Sequence, residues 1–311
     1  MGKYNISRDY FPFSRLAPPL RDARLAGWLG SKMRPPRRVF KSRDIHSRTE
    51  TLPGYMGEPI EAIIMEPRNI GELAPCLVYY HGGGFFFGAS GIHYDMVMDY
   101  ARFCRCKIVF VQYRLAPRYP FPTPPEDCYA ALSWTYENAH RLGIDKTRIA
   151  VGGDSAGGAL AAAVCQMARD RGGYLPIFQL LIYPVTDRRM DTASNREFTD
   201  TPMWNSRLSA LMWRAYLQDP TVSDVAYASP MESKSFAGLP PAYIETAEFD
   251  CLRDEAVAYA DVLTAEDIPV KLNSTKGTMH GFDIVRRASA TQAAVSERVK
   301  YISEAFGTSV R

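Results

Sequence analysis

The 311 residues are 46% hydrophobic and 23% charged, which excludes disorder and collagen-like repetition and leaves enough apolar material for a large core. Net charge is only +3, too small for a general nucleic-acid footprint. The basic excess is local: residues 1–50 hold 12 Lys and Arg against 4 Asp and Glu, scattered among Pro, Leu and Phe as on a solvated face.

Within residues 1–50 the run LRDARLAGWLGSKM is helix-like and is closed by Pro35 and Pro36, and no strand pattern is evident. Lys3, Arg8 and Asp9 with no apolar stretch behind them argue against a signal peptide. From residue 60 onward short β-rich runs alternate with helical segments, the signature of an α/β protein with a mostly parallel central sheet flanked by helices. The expected strands are 60–66, 75–80, 107–113, 147–152, 177–183, 241–247 and 269–274. The expected helices are 93–104, 125–141, 156–170, 251–265 and 288–306. Leu73 to Tyr94 carries no Lys, Arg, Asp or Glu, but Pro75, His81 and Gly82 to Gly84 make it strand, loop and helix start instead of a membrane span. Residues 185–240 break the alternation, and their SRLSALMWRAYLQ segment is amphipathic.

Met203, Trp204, Leu211, Met212 and Trp213 give that stretch more apolar bulk than a solvated connection needs. The expectation is a helical cap made of an N-terminal segment, 1–50, and an insertion, 185–240. It would cover the carboxyl edge of a core formed by 51–184 and 241–311, where open α/β sheets bind ligands. The alternative is that these residues extend the core. The six cysteines show neither CxxC nor zinc spacing, behave as small hydrophobes and suit a reducing cytoplasm.

Gly153-Asp154-Ser155-Ala156-Gly157 has the G-x-S-x-G form of a nucleophile elbow, a tight strand-to-helix turn that projects a serine hydroxyl from the sheet edge. By composition it recurs by chance in about one chain in ten of this length, so the strand-like TRIAVG before it and the small-residue helix after it matter more than the pentapeptide. A serine hydroxyl needs a base, and an imidazole oriented by a carboxylate is the usual one. In the fold that carries this elbow the acid and then the histidine follow the serine, and of the five histidines only His280 does so. Asp250, at the end of PAYIETAEFD, is the expected acid; Asp254, one helical turn on, competes, although an acid there also suits a helix's first turn.

His81-Gly82-Gly83-Gly84-Phe85 follows the strand PCLVYY, and its side-chain-free backbone can bring N–H groups against a developing oxyanion. Gly83, Gly84 and Ala156 are the expected donors, with Gly82 shaping the turn and His81 bracing the loop. Phe85, Phe86, Phe87 and Trp204 are candidate pocket walls, with Phe85 and Trp204 foremost. Asp154, Glu126 and Asp127 read as structural. Asp127 either bonds backbone near the elbow or starts the helix at 125. No HExxH motif, Walker loop or Cys/His cluster calls for a metal or cofactor.

HGGG at 81–84, YRLAP at 113–117, FPTPPED at 121–127, GDSAGG at 153–158, YP at 183–184, DCLRDE at 250–255 and HGF at 280–282 stand in the order and approximate spacing of a known family. Over roughly 60–311 the chain resembles the hormone-sensitive-lipase-like serine esterases of the α/β-hydrolase superfamily. The resemblance implies a carboxylic ester hydrolase with Ser155, Asp250 and His280 as its triad, a capped site, small-molecule ester substrates and no cofactor. It also implies possible homodimers, with 269–274 as a candidate edge. Two positions depart from the pattern: Cys251 stands where Pro is usual and Ala256 where Gly is frequent.

Overall fold

The computed structural model describes residues 3–11, 13, 16, 33–219, 221 and 224–308. Its frame is one eight-stranded sheet in the order β1-β2-β4-β3-β5-β6-β7-β8. The strands are β1 (Ile45–Pro53), β2 (Pro59–Pro67), β3 (Ala74–Tyr80), β4 (Lys107–Gln112), β5 (Ile144–Asp154), β6 (Gln179–Ile182), β7 (Ala242–Phe249) and β8 (Val270–Met279). β1 pairs antiparallel with β2 and β2 antiparallel with β4, and every other pairing is parallel.

The first of these strands corrects the sequence reading, in which residues 1–50 held no strand. Ile45–Pro53 buries only Ile45 and Leu52, and the six residues between them are polar, so the alternation that announces a strand is absent. Every residue of β3 is buried, as strands covered on both faces must be.

Alternation along the central strands feeds two cores. Cys76, Val78 and Tyr80 point to one face, with Val109 and Val111 beside them. Leu77, Tyr79, Ile108 and Phe110 point to the other. Numbered with a short helix α1 (Arg37–Phe40) before the sheet, the larger helices are α2 (Gly91–Cys104), α3 (Thr123–Glu137) with the short α4 (Ala139–Leu142), and α5 (Ala156–Asp170). After these come α6 (Ala193–Glu197), α7 (Ser206–Leu217), α8 (Arg253–Ala265) and α9 (Ser289–Phe306). Helices α3, α5 and α8 cover the first face, and α2 and α9 the second. The uncharged stretch 73–94 is strand, loop and helix start, and no helix among the described residues is long and apolar enough to cross a membrane.

Most of the helix-like run at 20–33 lies outside the described residues. Elsewhere the N-terminal segment touches the insertion: Met203 N–H donates to the Leu16 carbonyl at 2.5 Å, and the Lys3 ammonium and Tyr4 hydroxyl both bond Asp200. Met212, Trp213 and Tyr216 of α7 join the core beneath. All six cysteines are buried and free.

Candidate active site

The sheet delivers its functional side chains at the carboxyl ends of its parallel strands. Ser155 follows β5 with φ +54° and ψ −119°, a conformation an L-residue adopts only in a turn that forces it. The flanking glycines are the steric condition. A Cβ on Gly153 would lie 2.2 Å from the Gly157 carbonyl oxygen, and one on Gly157 would lie 2.0 Å from that of Tyr80. Ser155 N–H donates to the Ile182 carbonyl at 2.8 Å, which pins the turn to the neighbouring strand.

Asp250 directly follows β7 and His280 follows β8, and the structure brings both to the serine. His280 Nε2 lies 2.9 Å from Ser155 Oγ, and His280 Nδ1 lies 2.7 Å from Asp250 Oδ2. The carboxylate accepts the Nδ1 proton and leaves the Nε2 lone pair facing the hydroxyl. Asp250 Oδ1 accepts from the Leu252 amide at 3.0 Å, so the acid is held from both sides. Asp254 faces elsewhere: it accepts from the Ser194 amide at 2.7 Å and pairs with Arg253. Cys251 is buried against Ser209 Oγ at 3.6 Å, and burial pushes its thiol well above the usual range.

The glycine loop is tied to the elbow through Asp154. Its buried carboxylate accepts from Tyr79 Oη at 2.9 Å and from the Gly82 amide at 3.1 Å, while His93 Nε2 approaches the other oxygen at 3.2 Å. The Gly82 amide is thus spent on structure, and a Cβ there would lie 2.2 Å from Asp154 Oδ2. Among the described residues nothing accepts from the amides of Gly83, Gly84 or Ala156. Gly83 and Gly84 take φ of +119° and +59°, which glycine alone adopts freely. His81 stacks on Tyr113 at 4.5 Å and sets its Nδ1 2.7 Å from the Gly82 carbonyl; burial, then the neighbouring His93, holds its pKa down to about 4. Tyr113 Oη donates to the His81 carbonyl at 2.7 Å, and Arg114 grips Asp127 with Nε at 2.9 Å and Nη2 at 2.7 Å. Asp127 bonds backbone at Tyr55 and Arg114 from within α3, so its structural role lies away from the elbow and the helix start.

A pocket of about 330 Å³ opens over the serine, with Gly83, Gly84, Ser155, Trp204 and His280 in its wall. Phe85 is not part of it, contrary to expectation. Its φ of +63° turns the chain inward, and the ring stacks on Tyr216 with centroids 3.8 Å apart, fully buried. Phe87, two residues on, lines the pocket instead.

Sequence reasoning also passed over Tyr183, His93 and Asp283. Tyr183 sits edge-on to His280 at 4.8 Å and donates to Asp283 Oδ2 at 2.8 Å. Its place in the YP motif was the available signal. His93 caps α2 by accepting from the Ser90 amide at 2.9 Å, a role its sequence position three residues after a serine allows. Burial opposes its protonation, but the Asp154 charge outweighs this and raises its pKa. Among the described residues no three His, Cys, Asp or Glu side chains gather as a metal site.

A mostly parallel sheet with a strained serine turn at its centre, and an imidazole and carboxylate delivered by later strands, has the architecture of an α/β hydrolase. A family model described as "alpha/beta hydrolase fold" matches residues 77–284. Carboxylesterase NlhH of Mycobacterium tuberculosis is 36% identical over 254 residues, 81% of this chain and 79% of that one. Among solved structures, a bacterial heroin esterase superposes with a TM-score of 0.81 at 36% identity, covering 91% of this chain and 89% of its own. A thermostable esterase from Pseudomonas putida reaches 0.85 at 27% identity, covering 98% and 99%. The chain belongs to the α/β-hydrolase family, on its hormone-sensitive-lipase-like side, and is a carboxylic ester hydrolase.

Proposed function

We propose that the protein hydrolyses small carboxylic esters of short to medium chain through a covalent acyl-enzyme. The observation that carries this is the row Ser155 Oγ, His280 Nε2, His280 Nδ1, Asp250 Oδ2, with contacts of 2.9 and 2.7 Å. His280 takes the Ser155 proton as Oγ bonds to the ester carbonyl carbon, and the amides of Gly83, Gly84 and Ala156 receive the oxyanion. The tetrahedral intermediate collapses by breaking the bond to the alcohol oxygen, which leaves with the Nε2 proton. Water, deprotonated by His280, then attacks the acyl carbon and Ser155 regains its proton as the acid departs. Asp250 keeps Nδ1 protonated and stabilises the imidazolium.

The modest pocket, walled by Phe87 and Trp204, favours short to medium chains over long lipids. The N-terminal segment and the 185–240 insertion act together as its cap, a role supported by the Leu16–Met203 and Lys3–Asp200 contacts. Pairing of two copies along the outer edge of β8, the sheet's last strand, and residence in a reducing cytoplasm suited to buried thiols complete the proposal. A p-nitrophenyl ester series from acetyl to palmitoyl, run on wild type and Ser155→Ala, tests the chemistry. Turnover should peak at short to medium acyl groups and fall at least about 10³-fold in the variant. Undiminished turnover in Ser155→Ala would overturn the mechanism.

A further inference from the structure

The catalytic pocket has a neighbour. Between α2 and α9 runs a cleft of about 520 Å³, and three residues, Ile92, Met96 and Asp283, face both it and the pocket over Ser155. Ile92 and Met96 stand four apart on α2, so they share one helix face and form a partition one side chain thick. Beyond them Phe103 on α2 and Val295 and Val299 on α9, also four apart, give the cleft apolar surface, while Asp99 and Arg286, paired with each other, and Thr291, Gln292 and Ser296 supply polar lining. Asp283 carries charge but offers none to a ligand: Arg298 Nη1 donates to Oδ1 at 2.9 Å, and Arg298 Nη2 and Tyr183 Oη donate to Oδ2.

The side on which the cleft lies identifies what it would hold. In the mechanism proposed above, on which this inference rests, His280 Nε2 must protonate the departing oxygen, so the alcohol part of the ester lies on the His280 side. Gly281, Asp283 and Ile284 continue the pocket wall from His280, and Asp283 is where pocket and cleft meet. We propose that the α2–α9 cleft is an extended alcohol subsite, entered past Ile92 and Met96, that selects esters of elongated apolar alcohols. The acyl group stays outside it.

The test compares two ladders by kcat/KM from acid release at fixed pH: n-alkyl acetates from ethyl to decyl, and ethyl alkanoates from acetate to decanoate. Wild type should favour octyl over ethyl acetate. Val295→Trp, which fills the cleft, should lower that octyl-to-ethyl ratio about tenfold or more while the ethyl octanoate to ethyl acetate ratio holds. Gln292→Trp, at an exposed position of the same cleft, should act in the same direction and serves if Val295→Trp melts early. Met96→Ala, thinning the partition, should move the optimum toward decyl acetate. Unchanged alkyl ratios in both tryptophan variants, or a loss confined to the alkanoate ladder, would overturn the subsite. Ethyl acetate turnover that persists in Ser155→Ala would instead sink the underlying mechanism, so the two failures are separable.

Discussion

Asp250 and Asp254 stand one helical turn apart, and each has partners the other lacks. Asp250 meets His280 Nδ1 at 2.7 Å, whereas Asp254 ties the Ser194 amide and Arg253 to the start of α8. Asp250→Asn leaves the shape intact but stabilises the wrong imidazole tautomer, so kcat should fall by about 10⁴-fold with little change in melting temperature. Asp254→Asn should do the reverse, costing about 1 kcal/mol of stability in urea titrations and changing kcat by less than about threefold. At this scale the serine, acid and histidine were legible because chain order and strand ends constrain them. The pocket wall was legible only in part: Trp204 lines it as expected and Phe85 does not. Three consecutive phenylalanines carry no period, and only the positive φ at Phe85 decides that it turns into the core and Phe87 faces the pocket.

Elements were legible where both faces of a strand are covered, since β3, β4 and β6 are nearly continuous apolar runs; β1 was not, with Arg48 and Glu50 at its centre. How elements are fastened together is a further matter, and Glu255 of α8 shows it. Its carboxyl accepts from the amides of Thr186 at 2.7 Å and Asp187 at 3.2 Å and from Asn195 Nδ2 at 3.0 Å, joining α8 to the insertion and α6. Burial outweighs these donors and raises its pKa to about 8 from 4.5. The folded state therefore holds this proton more tightly than the unfolded chain. The resulting stabilisation is complete below about pH 4.5 and drains away as pH rises to about 8, at up to about 1.4 kcal/mol per pH unit. Glu255→Gln should flatten that slope between pH 5 and 8 in urea unfolding. The amide keeps Oε1 for the two backbone donors, and Asn195 can turn over to present its Oδ1, buried with no partner among the described residues, to the new Nε2–H. An unchanged slope would place the proton on another group.

For the whole molecule the decisive residue is one that reads as solvated surface. Arg298 lies between Glu297 and Lys300 in α9, and no periodicity distinguishes it from them, yet its side chain is fully buried. It holds Glu245 of β7 through Nε at 3.1 Å and a close Nη2 contact, and Asp283 through both terminal nitrogens. Burial alone would lower its pKa, but the two carboxylates override this and hold it well above its ordinary value. One guanidinium thus joins α9, the next-to-edge strand β7 and the loop after His280. Asp283 in turn holds Tyr183, whose ring stands against the imidazole. Arg298→Met would strand two buried carboxylates, a loss of about 3–5 kcal/mol and a melting midpoint lower by on the order of 10 °C. A packing role would end there. If the cluster also sets the His280 loop, the conservative Arg298→Lys should recover part of the stability but not the orientation, because an ammonium cannot reproduce the fork that reaches both acids. Its kcat at saturating ester should stay several-fold below wild type while KM moves little. Full recovery of kcat in Arg298→Lys would confine Arg298 to stability.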